Sequence, residues 1–348
     1  MSVLDQPHYH DEEAARAWLE QLMWPKGIVC SHCGDTGRAY RAANTESHRG
    51  RYRCANPACR KDFSVTTGTV MERSHVPLHK WLTAAYLMSS SKKGVSAHQL
   101  HRTLGVTYKT AWFLAHRLRE AMKDGGIVPL GGAGKVVEAD ETYHGQKDDP
   151  AERKKPGQRG PAGKRAITAL VERGGKARTF HVASGLTETD GSRPSAANRL
   201  PLLALGGSAV GTKCPSQSTS ADKETVASIV RQNVARESRL MSDESRLYTE
   251  VGAEFAGHET VTHSAGEYVR GDAHTNTVEG FFGLFKRGMR GIYQRCRERH
   301  LHRYLAEFEF RYNYRVALGV NDSERTVAMM ESIRGKRLLY RDSSLVAA

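Results

Sequence analysis

Four cysteines between positions 30 and 59 constrain this chain more than any other feature. They stand as Cys30-Ser-His-Cys33-Gly34 and Cys54-Ala-Asn-Pro-Ala-Cys59, with two intervening residues in the first pair and four in the second. Either loop is short enough to turn two thiolates onto one tetrahedral ion. Gly34 supplies the permissive backbone a tight knuckle needs. Disulfides are the rival use. The opening Met-Ser-Val-Leu-Asp-Gln-Pro-His has neither the charged nor the apolar region of a secretory signal, so a cytoplasmic setting is expected. In that setting Cys30, Cys33, Cys54 and Cys59 are expected to bind Zn2+ in a ribbon, whereas the isolated Cys214 and Cys296 are expected to stay reduced. His32 is a rival ligand, but four thiolates already complete the site.

Charge narrows the partners. Lys and Arg number 52 against 38 Asp and Glu, a formal net charge of +14. Such an excess favours an anionic partner, and nucleic acid is the first choice. A membrane is the other anionic surface, but no apolar run approaches 18 residues, so no membrane association is expected. Residues 78–122 read as helical throughout. Trp81, Ala84, Ala85 and Met88 form one stripe; Ser96 opens a short helix bearing Leu100 and Leu104. Gly105-Val106 turns the chain, and Thr107 begins a longer helix with Ala111, Leu114, Ala115 and Leu118 inward. Two helices joined this way match helix-turn-helix geometry, with Tyr108, Lys109, His116, Arg117 and Arg119 as candidate DNA contacts. A helical hairpin that only packs is the plainer alternative.

Farther on, Lys135-Val-Val-Glu-Ala-Asp-Glu-Thr-Tyr143 reads as a buried strand running into the acidic pair Asp140 and Glu141. Glu138 and Asp140 share one face of it, and Val137, Ala139 and Glu141 the other. Alone, it could equally be a surface strand ending in solvated acids. The same chain, however, offers Leu240-Met-Ser-Asp243, a second strand ending in acid, and Glu279, in the opening turns of a helix that also carries Lys286 on the same side. Between them lie a Gly/Pro-rich basic loop at 147–165, expected to be mobile, and a hairpin through Gly174-Gly175. A Ser/Gly/Pro-rich stretch over 186–219 reads as an insertion. Carboxylates that converge repel one another, and divalent metal between them is the usual remedy. Hard oxygen ligands suit Mg2+ or Mn2+.

These parts, in this order, resemble bacterial insertion-sequence transposases of the DDE class. The resemblance rests on Cys30/Cys33/Cys54/Cys59 with Asp62-Phe63-Ser64, Lys80-Trp81, Glu138-Ala-Asp140-Glu141-Thr-Tyr143 and Ser242-Asp243-Glu244. It extends through His274-Thr-Asn276-Thr-Val-Glu279-Gly-Phe, Lys286-Arg-Gly288 and Phe310-Arg-Tyr-Asn313. It implies a multidomain α+β chain: an N-terminal zinc ribbon, a helix-turn-helix-like region, and a C-terminal α/β RNase H-like catalytic domain. The expected divisions are 1–70, 71–125 and 126–320, followed by a C-terminal tail at 321–348. The implied chemistry is two-metal cleavage at the transposon end, then attack of the freed 3′-hydroxyl on target DNA. By position, Asp140, Asp243 and Glu279 are the implied Mg2+ ligands. Lys286 and Arg287, with Lys109 and Arg117 in the helical region, are the expected DNA contacts. Asp272 and Asn276 are rivals for the third place; a loop position argues against Asp272, and Asn276 suits a helix cap. Double-stranded DNA (terminal inverted repeats and target), a homo-oligomer assembled on it and a nucleoid setting follow from the same resemblance. A ribbon-bearing DNA-binding regulator with a catalytically dead RNase H-like domain is the alternative reading.

Overall fold

The computed structural model describes residues 2–42, 50–124, 128–155, 157–158, 160–183, 186–187 and 222–339. They fall into two compact units: Met1–Val128, Glu172–Ala177 and Glu279–Ala348 in the first, Pro129–Val171 and Arg178–Val278 in the second. Of the expected insertion at 186–219, only Leu186–Thr187 lies within the described residues; Cys214 lies outside them.

In the first unit, helix α1 (Glu12–Met23) starts at Asp11, whose carboxylate accepts the Ala14 N–H at 2.7 Å, and buries Ala15, Leu19 and Met23. A three-stranded antiparallel sheet follows, β1 (Ala39–Arg41), β2 (Tyr52–Cys54) and β3 (Asp62–Phe63). Helices α2 (Leu78–Ser90), α3 (Ala97–Leu104) and α4 (Tyr108–Met122) come next, α3 closing on Gly105 in the left-handed conformation at φ +60°. The helical stripe read from the sequence is the core: Trp81, Ala84, Ala85 and Met88 are buried with Leu100, Leu104, Leu114 and Leu118. Helices α8 (Leu301–Asn313) and α9 (Asp322–Glu331) complete this unit. Within the segment expected as a tail, Met329, Met330 and Ile333 are fully buried in that same core.

The second unit is built on a six-stranded sheet. Its elements are β4 (Val136–Gln146), β5 (Lys164–Glu172), β6 (Ala177–Ala183), β7 (Leu186–Thr187), β8 (Arg239–Asp243) and β9 (Gly257–Val261), in the order β7-β6-β5-β4-β8-β9. β5 and β6 form the expected hairpin, closed by the Glu172 N–H on the Lys176 carbonyl at 2.8 Å. β4 pairs with β8, and β8 with β9, in parallel. Helix α5 (Lys223–Asn233), begun by Asp222, packs Val226, Ile229 and Val230 with Val137, Ala139 and Leu240 of the sheet, and α6 (Thr249–Gly252) adds Val251. A two-stranded ribbon, β10 (Val269–Arg270) and β11 (Ala273–His274), leads into α7 (Asn276–Gly288), which runs on as a π-helical turn over Met289–Tyr293.

The basic loop expected to be mobile is partly anchored. Lys147 and Arg165 are each only 5 % exposed, Lys147 paired with Glu152 at 2.8 Å and Arg165 with Asp148 at 2.9 Å. A charge this buried must be paired, so these two cations serve the fold.

Candidate active site and metal centre

The thiolates meet. Cys30 Sγ lies 3.9 Å from Cys59 Sγ, and Cys33 Sγ 3.7 Å from Cys54 Sγ, with all four within 4.8 Å of one another. Four sulfurs placed tetrahedrally at about 2.3 Å from a zinc ion are about 3.8 Å apart, so the set fits one zinc. The knuckle at Cys30 is held by the Gly34 N–H on the Cys30 carbonyl at 2.9 Å, with Gly34 at φ +73°. Trp24, Tyr52 and Phe63 pack beneath it, Trp24 edge-on to both rings. His32 is turned away from ligation: its Nε2 donates to the Asp62 carbonyl at 3.1 Å.

The acids of the second unit are sorted by what each touches. Val136, Val137 and Glu138 pair with Arg239, Leu240 and Met241, an offset of 103 residues; Asp140 and Asp243 each follow two residues after the Glu138–Met241 pair. Paired residues on parallel strands point to one face, about 4.8 Å apart. The sequence placed Asp140 at a strand end, and here the structure differs. β4 runs on to Gln146, and Asp140 sits where its neighbour β8 stops. The Thr142-Tyr143-His144 run keeps β4 extended beside β5. Burial pushes the Asp243 carboxyl up, against the Ser245 N–H that it accepts at 3.0 Å.

The neighbouring acids are engaged elsewhere. Glu141 takes the hydroxyl of the fully buried Tyr248, and burial, with the Asp140 and Asp243 charges added, pushes its carboxyl up to about 8. Glu244 caps the next turn, accepting the His263 N–H at 2.7 Å and the Ser264 N–H at 3.0 Å. Asp272 reaches Arg239 at 2.7 Å, at the start of β8 and away from Asp243. Glu138, given no role by the sequence reading, is fully buried, with both oxygens on the first turn of α7. The signal for it was present: a charge inside the apolar run Val-Val-Glu-Ala, facing the same way as Asp140.

Helix α7 carries the other expected residues. Glu279 is exposed in its first turn, Lys286 is half-buried in its last and Arg287 is exposed. Asn276 is the first helical residue, not the cap before it. The N–H groups of Thr277 and Val278 go to Glu138, because a carboxylate from the sheet reaches them. Gly288 of the Lys-Arg-Gly triplet has a packing reason: a Cβ there would stand 2.8 Å from the Lys93 carbonyl and 2.4 Å from the Phe308 ring. Asn313 has one as well, its side chain accepting the Ala177 N–H at 2.6 Å and donating to the Ala177 carbonyl at 2.9 Å.

The helical region separates the expected DNA contacts. Lys109 is exposed in the first turn of α4 beside Tyr108, whose ring stacks on His98. Arg117 is 5 % exposed: its guanidinium lies over Trp81 and Phe113 and donates to the Glu72 carbonyl, so it cannot face a groove. Its neighbours His116 and Arg119 are buried too, Arg119 donating to Glu307 at 2.7 Å. Arg303 donates to Glu120 at 2.6 Å, and Arg311 binds Glu307. Of the basic run after α7, Arg290, Arg295 and Arg297 stay exposed.

One unit thus carries a four-thiolate ribbon, and the other a mixed sheet with Asp140 and Asp243 on adjacent parallel strands. Residues 10–62 match the transposase zinc-ribbon domain, and residues 195–313 match the ISXO2-like transposase domain, a span that includes Asp243 and Glu279 and begins beyond Asp140. The chain is similar to an uncharacterised protein in the transposable element ISH50 of Halobacterium salinarum, 29 % identical over 279 residues, 79 % of this chain and 82 % of the relative. The chain is thus similar to transposase domains over two separate stretches, and to a transposable-element protein over most of its length. Among the described residues no helix is long and apolar enough to cross a membrane.

Proposed function

We propose that the chain cleaves and joins the ends of an insertion sequence by divalent-metal-dependent phosphodiester hydrolysis and strand transfer. What supports this reading is that Asp140 and Asp243 each follow by two residues the paired Glu138 and Met241 on adjacent parallel strands. Hard carboxylates on neighbouring strands suit Mg2+ or Mn2+. A bound divalent ion would supply Lewis acidity and charge neutralisation at the scissile phosphate. Asp140 and Asp243 would hold it, and Glu279, in the first turn of α7, would contribute the third carboxylate. Lys286 and Arg287, in the last turn of that helix, and Lys109, at the start of α4, hold DNA phosphates. The exposed Arg290, Arg295 and Arg297 extend the basic surface. The substrates are the element's terminal inverted repeats and then target DNA, with the protein acting as a homo-oligomer assembled on them.

The test uses full-length protein, labelled DNA from the element's own flanks and Mg2+, with 3′ ends mapped. Cleavage at the terminal repeat that needs the metal and is lost in Asp140→Asn and Asp243→Asn supports the reading. Protein that binds those ends but never cuts them, with Mg2+ or Mn2+, refutes it. Precut ends then separate joining from simple hydrolysis.

A further inference from the structure

We propose that Glu138 is a positioning residue of the catalytic centre, a buried carboxylate on β4 that docks the first turn of α7, the turn that carries Glu279. This rests on the metal-dependent reading of Asp140, Asp243 and Glu279. Glu138 is wholly buried. It is two residues before Asp140 on the same face of β4, and its partner Met241 is two residues before Asp243 on β8. Glu138 Oε2 accepts the Thr277 N–H at 2.8 Å and the Val278 N–H at 3.0 Å; Oε1 accepts the Thr277 hydroxyl at 2.8 Å and lies 3.2 Å from His274 Nδ1.

The first N–H groups of a helix have no partner inside it, and a local side chain just before the helix ordinarily supplies one. Here the acceptor comes from a strand 139 residues earlier in the chain. The helix dipole favours a negative charge at that end, and a buried carboxylate is tolerable only when its oxygens are hydrogen-bonded. Each need answers the other. Three hydrogen bonds from the first turn of α7 engage both oxygens, so Glu138 is committed to the helix although it stands next to Asp140 along the face. Its effect is geometric. It pins the start of α7 to the strand that holds the first aspartate, where an error of about half an ångström in a ligand's placement is enough to weaken catalysis.

The test compares wild type with Glu138→Gln and Thr277→Val, all full-length, with Asp140→Asn as control. Glu138→Gln is expected to keep its fold by far-UV circular dichroism, with amide exchange at Thr277 and Val278 rising about tenfold. Mn2+ affinity by calorimetry and terminal cleavage are each expected to fall by about 10–100-fold, while affinity for terminal DNA holds. Thr277→Val, which removes one donor and leaves the buried charge, should show the same pattern at about a third of that effect on a logarithmic scale. Should Glu138→Gln fail to fold, Thr277→Val alone decides. Faster exchange with unchanged Mn2+ affinity and cleavage would reduce Glu138 to a helix cap and overturn the proposal. Unchanged exchange would overturn the clamp itself. A wild type whose Mn2+ binding matches Asp140→Asn, with exchange still raised in Glu138→Gln, would show that the metal reading failed, and the positioning role with it.

Discussion

The α4–α8 contact and the β4–β8 contact both bury charge, and they do so in opposite ways. In the helical contact each buried acid meets arginine: Glu307 takes Arg119 and Arg311, and Glu120 takes Arg303. In the sheet, acid lies near acid: the Asp140 and Asp243 charges add to the burial that pushes the Glu141 carboxyl up. The first arrangement is closed and serves the fold. The second is the arrangement that a divalent cation would favour on the reading proposed above.

The ribbon shows the largest expected effect, because its four thiolates also converge without a cation of their own. Removing zinc should cost the ribbon about 10 kcal/mol or more and unfold it. Amide exchange across β1–β3 should rise to unprotected rates while β4 and β8 keep their protection. Retained protection in β1–β3 after complete chelation would put the ribbon with the self-sufficient regions.

Asp140→Asn tests the open arrangement directly. Cleavage of terminal DNA should fall by at least about 10²–10³-fold. The melting temperature should hold or rise, since one of two repelling carboxylates is gone. A destabilised variant would show that Asp140 is a structural acid.

Glu307→Gln tests the closed one. Removing one partner from a buried, paired set should cost about 3–5 kcal/mol, read as a lower urea midpoint. Burial alone would push the Glu307 carboxyl up; Arg311 and Arg119 outweigh it and hold it below the usual range. The stability it contributes is therefore present above the unfolded carboxylate pKa of about 4.3 and is lost as pH falls through the lower folded value. Glu307→Gln should flatten that acid limb, and an unchanged limb would remove Glu307 as its source.

The smallest effects separate two cations of one helix. Lys109→Ala should lower terminal-DNA affinity modestly and reduce the salt slope by about one. Arg117→Ala should leave the salt slope alone and lower stability through lost packing over Trp81. Equal salt slopes for both variants and wild type would mean that α4 touches no phosphate.

What the sequence settled was local. Cys30, Cys33, Cys54 and Cys59 announce one site because each pair is held on a single turn, so spacing alone constrains geometry. The stripe from Trp81 to Met88 and the caps at Ser96 and Thr107 are likewise short-range and were legible. Asp140 and Asp243 were legible as acids beside apolar strands. That their strands run side by side, with Glu138 paired to Met241, was not, because register between parallel strands 103 residues apart is fixed by core packing. The same holds for Arg117 and Arg119, which read as candidate DNA contacts. Whether an arginine faces DNA or a glutamate depends on which helix covers it, and α8 covers α4 across more than 180 residues of chain. Glu138 is the clearest case. Its sequence shows a charge in an apolar strand, and only the tertiary fold brings it the unpaired N–H groups of α7. A buried carboxylate is defined by its donors, and these lie 139 residues away.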